Sequence, residues 1–149
     1  YRFNDFGVYY MKMFIACFLA SFGFALIFNI PRDKAFYAGL TGGIGGIVYH
    51  LCLNMNLSET AALFFSSIIL SLMAEIMARK LKCPSTMFSI CALIPFVPGG
   101  KIYLMMVEII DGNLELALNY GLTTIFQASA LVIGMVVVSG LFRTMKRRA

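Results

Sequence analysis

Lysine, proline and glycine fall together where the surrounding residues are apolar. The run Ala92-Leu93-Ile94-Pro95-Phe96-Val97-Pro98-Gly99-Gly100-Lys101-Ile102-Tyr103 carries two prolines, two glycines and a cation between hydrophobic flanks. Proline inside a helix removes an i→i−4 hydrogen bond and clashes with the preceding turn, and paired glycines loosen the backbone further. In a bilayer, backbone groups freed this way are tolerated only against protein or a water-filled cavity. The chemistry expected of Pro95, Pro98, Gly99, Gly100, Lys101 and Tyr103 is therefore non-covalent: a discontinuity lining a substrate path. Lys101 follows the glycines at the start of a half-helix, where ammonium and free N–H groups together attract an anion. The competing reading is a lysine snorkelling to the interface.

The other ionisable side chains are few. Glu108 lies seven residues after Lys101, on the same helical face, and is a candidate for pairing with it or for carrying a proton in coupled transport; solvation at the outer boundary is the plainer reading. Glu75 is a second proton-coupling candidate, although Arg79 stands four residues on, the spacing of an intrahelical ion pair. His50 is a candidate pH sensor or simply a hydrogen-bonded ring. With one histidine and sparse carboxylates, no nucleophile–base–orienter set can be assembled, so catalysis of bond cleavage is not expected and the chain reads as no enzyme. Cys17, Cys52, Cys83 and Cys91 show no C-x-x-C spacing and read as small buried hydrophobes, with no metal and no cofactor expected.

Polar residues gather again near the end of the chain. Asn119, Thr123 and Gln127 recur every fourth residue and share a helical face. Threonine hydroxyls can bond their own helix, but Asn and Gln in lipid need partners. A stripe facing a bundle interior follows, meeting either substrate or another helix.

These residues must be positioned by membrane-spanning helices. The 149 residues are 60% hydrophobic and only 13% charged, against roughly 45–50% and 25% for soluble domains. Mean hydropathy is +0.86. A chain so poor in charge cannot cover a water-facing surface, which points to an all-α, polytopic integral membrane protein. Its net charge of +5 sits in short clusters between apolar runs, the pattern that sets membrane orientation rather than nucleic-acid binding. The first apolar run lacks the short core and small-residue cleavage pattern of a signal peptide. Because the chain begins at Tyr1 rather than Met, a missing or processed native start is expected.

Five spans are expected, at about 10–30, 35–55, 60–78, 84–110 and 114–142, forming a single transmembrane domain over 1–149. As one straight helix, 84–110 would be about 40 Å long, against a hydrocarbon core of roughly 30 Å. The fourth span is therefore expected to break at Pro-x-x-Pro-Gly-Gly. Arg32/Lys34, Arg79/Lys80/Lys82 and Arg143–Arg148 then share one face, which the positive-inside rule makes cytoplasmic: N-terminus outside, C-terminus inside. Odd span numbers suit inverted-repeat transporters, whose sites lie at broken helices. The second span contains Gly39, Gly42, Gly43 and Gly46 at four-residue spacings, a groove for close helix packing or for backbone approach to a substrate. It has neither phosphate-loop nor dinucleotide spacing.

Taken together, Gly23-Phe24-Ala25-Leu26-Ile27-Phe28-Asn29-Ile30-Pro31, the glycine-rich second span, Ile94-Pro95-Phe96-Val97-Pro98-Gly99, and Thr123/Thr124 with Ala130 and Gly134 resemble the small-subunit type of the bacterial threonine/serine exporter family. Pro-x-x-Pro-Gly is the most specific part. The resemblance implies a five-span half working with a larger subunit that has five spans and a soluble cytoplasmic domain, the two being fused in some members. It implies proton-driven export of small amino acids such as threonine and serine, or of small dicarboxylates such as succinate, across the inner membrane. A homo-oligomer is a further arrangement left open. Lys101 departs from the general pattern, so the resemblance carries no role onto it. The rival expectations are a non-transporting scaffold that stabilises a partner through the Gly39–Gly46 groove, and a channel-like pore.

Overall fold

The computed structural model describes the backbone of residues 2–147 and the side chains of residues 7–144. Six α-helices follow one another: α1 (Arg2–Ile27), α2 (Arg32–Asn54), α3 (Glu59–Leu81), α4 (Ser85–Leu93), α5 (Gly99–Ile110) and α6 (Leu114–Arg147), with a 3-10 turn at Ile94–Phe96. No strand occurs among the described residues. Four helices are long and apolar enough to cross a membrane, and the bent pair α4–α5 makes a fifth if it is one span.

Local chemistry explains where each helix stops. α1 ends at Asn29 in the left-handed region (φ 58°), with Ile30 N–H closing back on Ala25 O at 3.0 Å before Pro31 bars continuation. α2 ends the same way at Asn56 (φ 59°), with Leu57 N–H on Cys52 O. Ser58 then caps α3, its hydroxyl accepting from Ala61 N–H at 3.3 Å, and Glu59 adds a favourable acid to the first turn. Arg79 and Lys80 complement the negative end of α3, and Lys82 (φ 50°) terminates it.

Small residues let the helices approach. A Cβ on Gly42 would fall on the Ser21 side chain of α1 and 3.2 Å from Cys17 O; one on Gly43 would lie 2.6 Å from Phe14, and one on Gly46 2.8 Å from Cys17 Sγ. Gly39 meets Phe18 in the same way. The glycine face of α2 is thus filled by α1. On the other side of the bundle, a Cβ on Gly134 of α6 would fall on Ser67 Oγ of α3. Ser66 Oγ donates across to Gly45 O at 2.9 Å, tying α3 to α2. Ser67 Oγ bonds Phe64 O of its own helix at 2.8 Å, whereas Ser21 Oγ, buried against Gly42, has no partner among the described residues. Overpacking a close contact costs about 1–3 kcal/mol, so Gly42→Leu and Gly134→Leu are each expected to lower the amount of folded protein in the membrane severalfold, read by quantitative immunoblot of membrane fractions.

The short helix α4 is the hub. Phe88, Ser89, Cys91 and Ala92 are buried, and α4 packs on α1, α2 and α3. Phe88 and Cys91 join Ala25, Ile30, Ala35, Ala38, Ala74 and Ala78 in one core cluster, which gathers the α1–α2 and α3–α4 turns at one end of the bundle. Arg79 reaches α6 at this end, donating to Phe142 O at 3.3 Å with its guanidinium 4.6 Å from the Phe142 ring centroid. The expected Glu75–Arg79 ion pair is replaced by this contact: the only ion pair among the described residues is elsewhere. Arg32, Lys34, Arg79, Lys80, Lys82 and Arg143 consequently cluster at one end.

α3 and α6 run parallel, since Glu59 meets Gln127, Ser67 meets Gly134 and Arg79 meets Phe142 in ascending order. α6 therefore begins 13 residues, roughly 20 Å, before the level of Glu59. Over that length it packs on α5, which buries no residue of its own. The expected polar stripe of α6 is split by this geometry. Gln127, in the part packed on α3, is buried, whereas Asn119, in the hairpin with α5, is exposed.

Candidate functional site

The break forms where the sequence places its prolines. Helix α4 and the 3-10 turn together rise only about 14 Å plus 6 Å, so they do not cross a roughly 30 Å core unaided. Pro95 is the second residue of the 3-10 turn, Val97 is extended (ψ 130°), and Pro98 (φ −74°, ψ 51°) precedes α5, which leaves at 45° to α4. Val97 N–H returns to Ile94 O at 3.2 Å, Gly99 N–H to Val97 O at 2.7 Å and Ile102 N–H to Pro98 O at 3.3 Å. No side chain caps the first turn of α5. A Cβ on Gly99 or Gly100 would meet nothing within 4 Å, so neither glycine admits a neighbouring helix, and Gly100 leaves space open beside Lys101.

That space is a cleft of about 590 Å³. Every helix but α4 contributes: Met13 from α1, Tyr49 from α2, Glu59 and Leu63 from α3, the break from Pro95 to Pro98, Gly100, Lys101 and Leu104 from α5, and Gln127 from α6. Phe96 is buried and meets the Tyr49 ring edge-on, centroids 6.2 Å apart, which fixes the floor beside the break. Lys101 Nζ lies 2.8 Å from Glu59 Oε2, and Gln127 Nε2 donates to the same oxygen at 2.8 Å. Gln127 is only 3% exposed, so α6 presents a fixed donor while the two charged side chains remain accessible. The arrangement can offer a cation, a carboxylate and an amide to one small polar molecule in otherwise apolar surroundings.

Lys101 therefore finds its carboxylate on α3, not seven residues along its own helix. Glu108 instead accepts from Asn113 Nδ2 at 2.9 Å and clamps the α5–α6 turn. Glu75 lines a separate cleft at the basic end, with Arg79, Lys82 and Arg143. Tyr103 is 66% exposed and lies outside the cleft, as do Gly99, Asn119 and Thr123. His50 packs against Tyr9 and Tyr10, with ring centroids 4.9 and 5.2 Å away.

Thr123 Oγ1 donates to Asn119 O, Thr124 Oγ1 to Tyr120 O, each at 2.8 Å, and Ser129 Oγ to Ile125 O. These hydroxyls are spent on their own helix. Thr123→Val is accordingly expected to leave the amount of folded protein in the membrane within about twofold of wild type, because only a local back-bond is lost; quantitative immunoblot of membrane fractions checks it.

Glu59 is the member of the site that sequence patterning passes over. It reads locally as the first-turn acid of α3 after the Ser58 cap, and its partners stand 42 and 68 residues away. The signal available was negative: it is the one acid of the α2–α3 turn, at a helix start facing no basic neighbour in sequence.

A protein of Haemophilus influenzae described as uncharacterized is 25% identical over 132 residues, covering 83% of this chain and 44% of that relative. The chain thus spans less than half the length of this relative. No solved structure matches. The family profile described as Threonine/Serine exporter, ThrE, matches residues 13–141, nearly the whole described bundle. On that match the chain belongs to the threonine/serine exporter family.

Proposed function

We propose that the chain is the membrane half of a secondary-active exporter that moves small amino acids of the threonine or serine kind, or small dicarboxylates such as succinate, out of a bacterial cell. The observation that carries this reading is the cleft at the helix break, where Glu59, Lys101 and Gln127 converge from three helices. Broken helices beside paired polar groups are the usual site architecture of secondary transporters. The proposed role is transport rather than covalent chemistry, in the cytoplasmic membrane. The basic end of the bundle faces the cytoplasm, which puts the N-terminus and the break toward the outside.

The reading includes a larger membrane subunit as partner. Its support is the unpaired α5–α6 hairpin, where Met106, Ile110, Leu118 and Phe126 are exposed, together with the greater length of the relative. Rocking of the two halves around the cleft would give alternating access. The scaffold alternative relied on the Gly39–Gly46 face, and that face is occupied by α1 of the same chain.

Efflux from cells loaded with a threonine dipeptide tests the proposal. Deleting the gene is expected to raise intracellular threonine severalfold and restoring it to reverse the rise. An uncoupler is expected to abolish export against a gradient. Efflux unaffected by the deletion contradicts the transport reading, and efflux insensitive to the uncoupler favours a channel.

A further inference from the structure

The Glu59–Lys101 pair is only partly used by the protein. Lys101 and Gln127 both donate to Oε2 of Glu59, which leaves Oε1 without a protein donor among the described residues. Lys101 carries three ammonium protons and spends one on this contact. The two side chains are 31% and 51% exposed, the regime in which ion pairs add little to stability, so opening this one costs the fold little. It bridges α3 to α5 across the mouth of the break, where nothing in the fold requires a charge. Apart from the Tyr49 phenol, the rest of the cleft lining is largely apolar: Met13, Leu63, Pro95, Phe96, Val97 and Leu104.

A ligand with one positive and one negative group can exchange this internal pair for two external ones without leaving a charge unpaired. Its carboxylate takes the Lys101 ammonium and its own ammonium takes the Glu59 carboxylate, held by Gln127. A dicarboxylate cannot do so, because its second carboxylate meets Glu59, a like charge. A simple amine meets Lys101 in the same way. From this we infer that Glu59 and Lys101 are the specificity-determining pair of the cleft: they accept zwitterionic α-amino acids by charge exchange and reject dicarboxylates. The inference rests on the transport reading above and narrows its substrate class.

The test is uptake of labelled L-threonine and labelled succinate into inside-out vesicles from cells expressing the complete system from its native locus, with membrane abundance measured in parallel. Wild-type vesicles are expected to take up threonine and not succinate. Glu59→Gln and Lys101→Gln are each expected to raise the half-saturating threonine concentration about tenfold or more, as loss of one charge contact does. The double variant Glu59→Lys/Lys101→Glu keeps an ion pair, and is expected to recover threonine uptake to within about threefold while still refusing succinate. It also serves where a single variant fails to accumulate. Threonine uptake with half-saturation unchanged in both single variants overturns the inference and leaves the transport reading standing, as does equal uptake of succinate by wild type or by the double variant. Wild-type vesicles that take up neither compound overturn both.

Discussion

Gly100→Leu is expected to lower threonine efflux about tenfold or more while leaving the protein in the membrane at wild-type abundance, since small displacements of bound groups cost one to two orders of magnitude in rate. The two halves of this expectation come from different observations. Gly100 lines the cleft beside Lys101, and a Cβ there would meet nothing within 4 Å, so the leucine side chain enters open space and no helix is pushed aside. Glycine to leucine at a helix start loses nothing in propensity. The contrast with Gly42 is direct, for a leucine there strikes Ser21 and the α1 backbone. Efflux rate divided by immunoblot signal separates the cases: Gly100→Leu lowers the ratio, and Gly42→Leu lowers the denominator.

Pro95→Ala combined with Pro98→Ala is expected to abolish transport by repairing the helix. Each proline forbids one helical hydrogen bond and adds a clash, a penalty of roughly 3 kcal/mol in a helix interior. Removing both lets α4 propagate through residues 94–98 into α5 and erases the 45° bend. Lys101 is then carried away from Glu59, and the 2.8 Å contact cannot form. A bias of about 3 kcal/mol corresponds to roughly a hundredfold change in population, so efflux is expected to fall by about two orders of magnitude. Global stability rises rather than falls, because the repaired helix regains backbone bonds. A thermal-shift measurement in detergent showing a higher midpoint together with lost efflux would identify repair of the break as the cause; efflux retained in a properly inserted double variant would remove the break from the transport path.

Particular residues show what could be read in advance. Asn29 with Pro31, Asn56, Pro84 and the Gly112 turn mark helix ends by their own backbone preferences, so the number and order of the helices follow from the chain. Pro95 and Pro98 likewise announce the discontinuity at the position where it occurs. The helices themselves run longer than the apolar windows: α6 continues to Arg147, past the expected 142, and α3 to Leu81. Charged side chains at a helix end stay in water while the backbone remains helical, so hydropathy underestimates length.

Pairing across the bundle was not legible. Periodicity assigns Lys101 and Glu108 to one face but is silent on what stands opposite, and the opposite element brings Glu59. The stripe Asn119–Thr123–Gln127 is a true helical face. What it meets changes along its length, because α3 begins level with Gln127 whereas α6 begins 13 residues earlier.

The central claim is that the cleft at the break is where substrate sits. Gly100→Cys places a thiol in that cleft, while native Cys17, Cys52 and Cys91 are buried and so poorly reactive. A membrane-impermeant maleimide added to intact cells is predicted to label Gly100→Cys well above the wild-type background, and saturating threonine to slow that labelling severalfold. Labelling that proceeds at the same rate with and without threonine would contradict the claim.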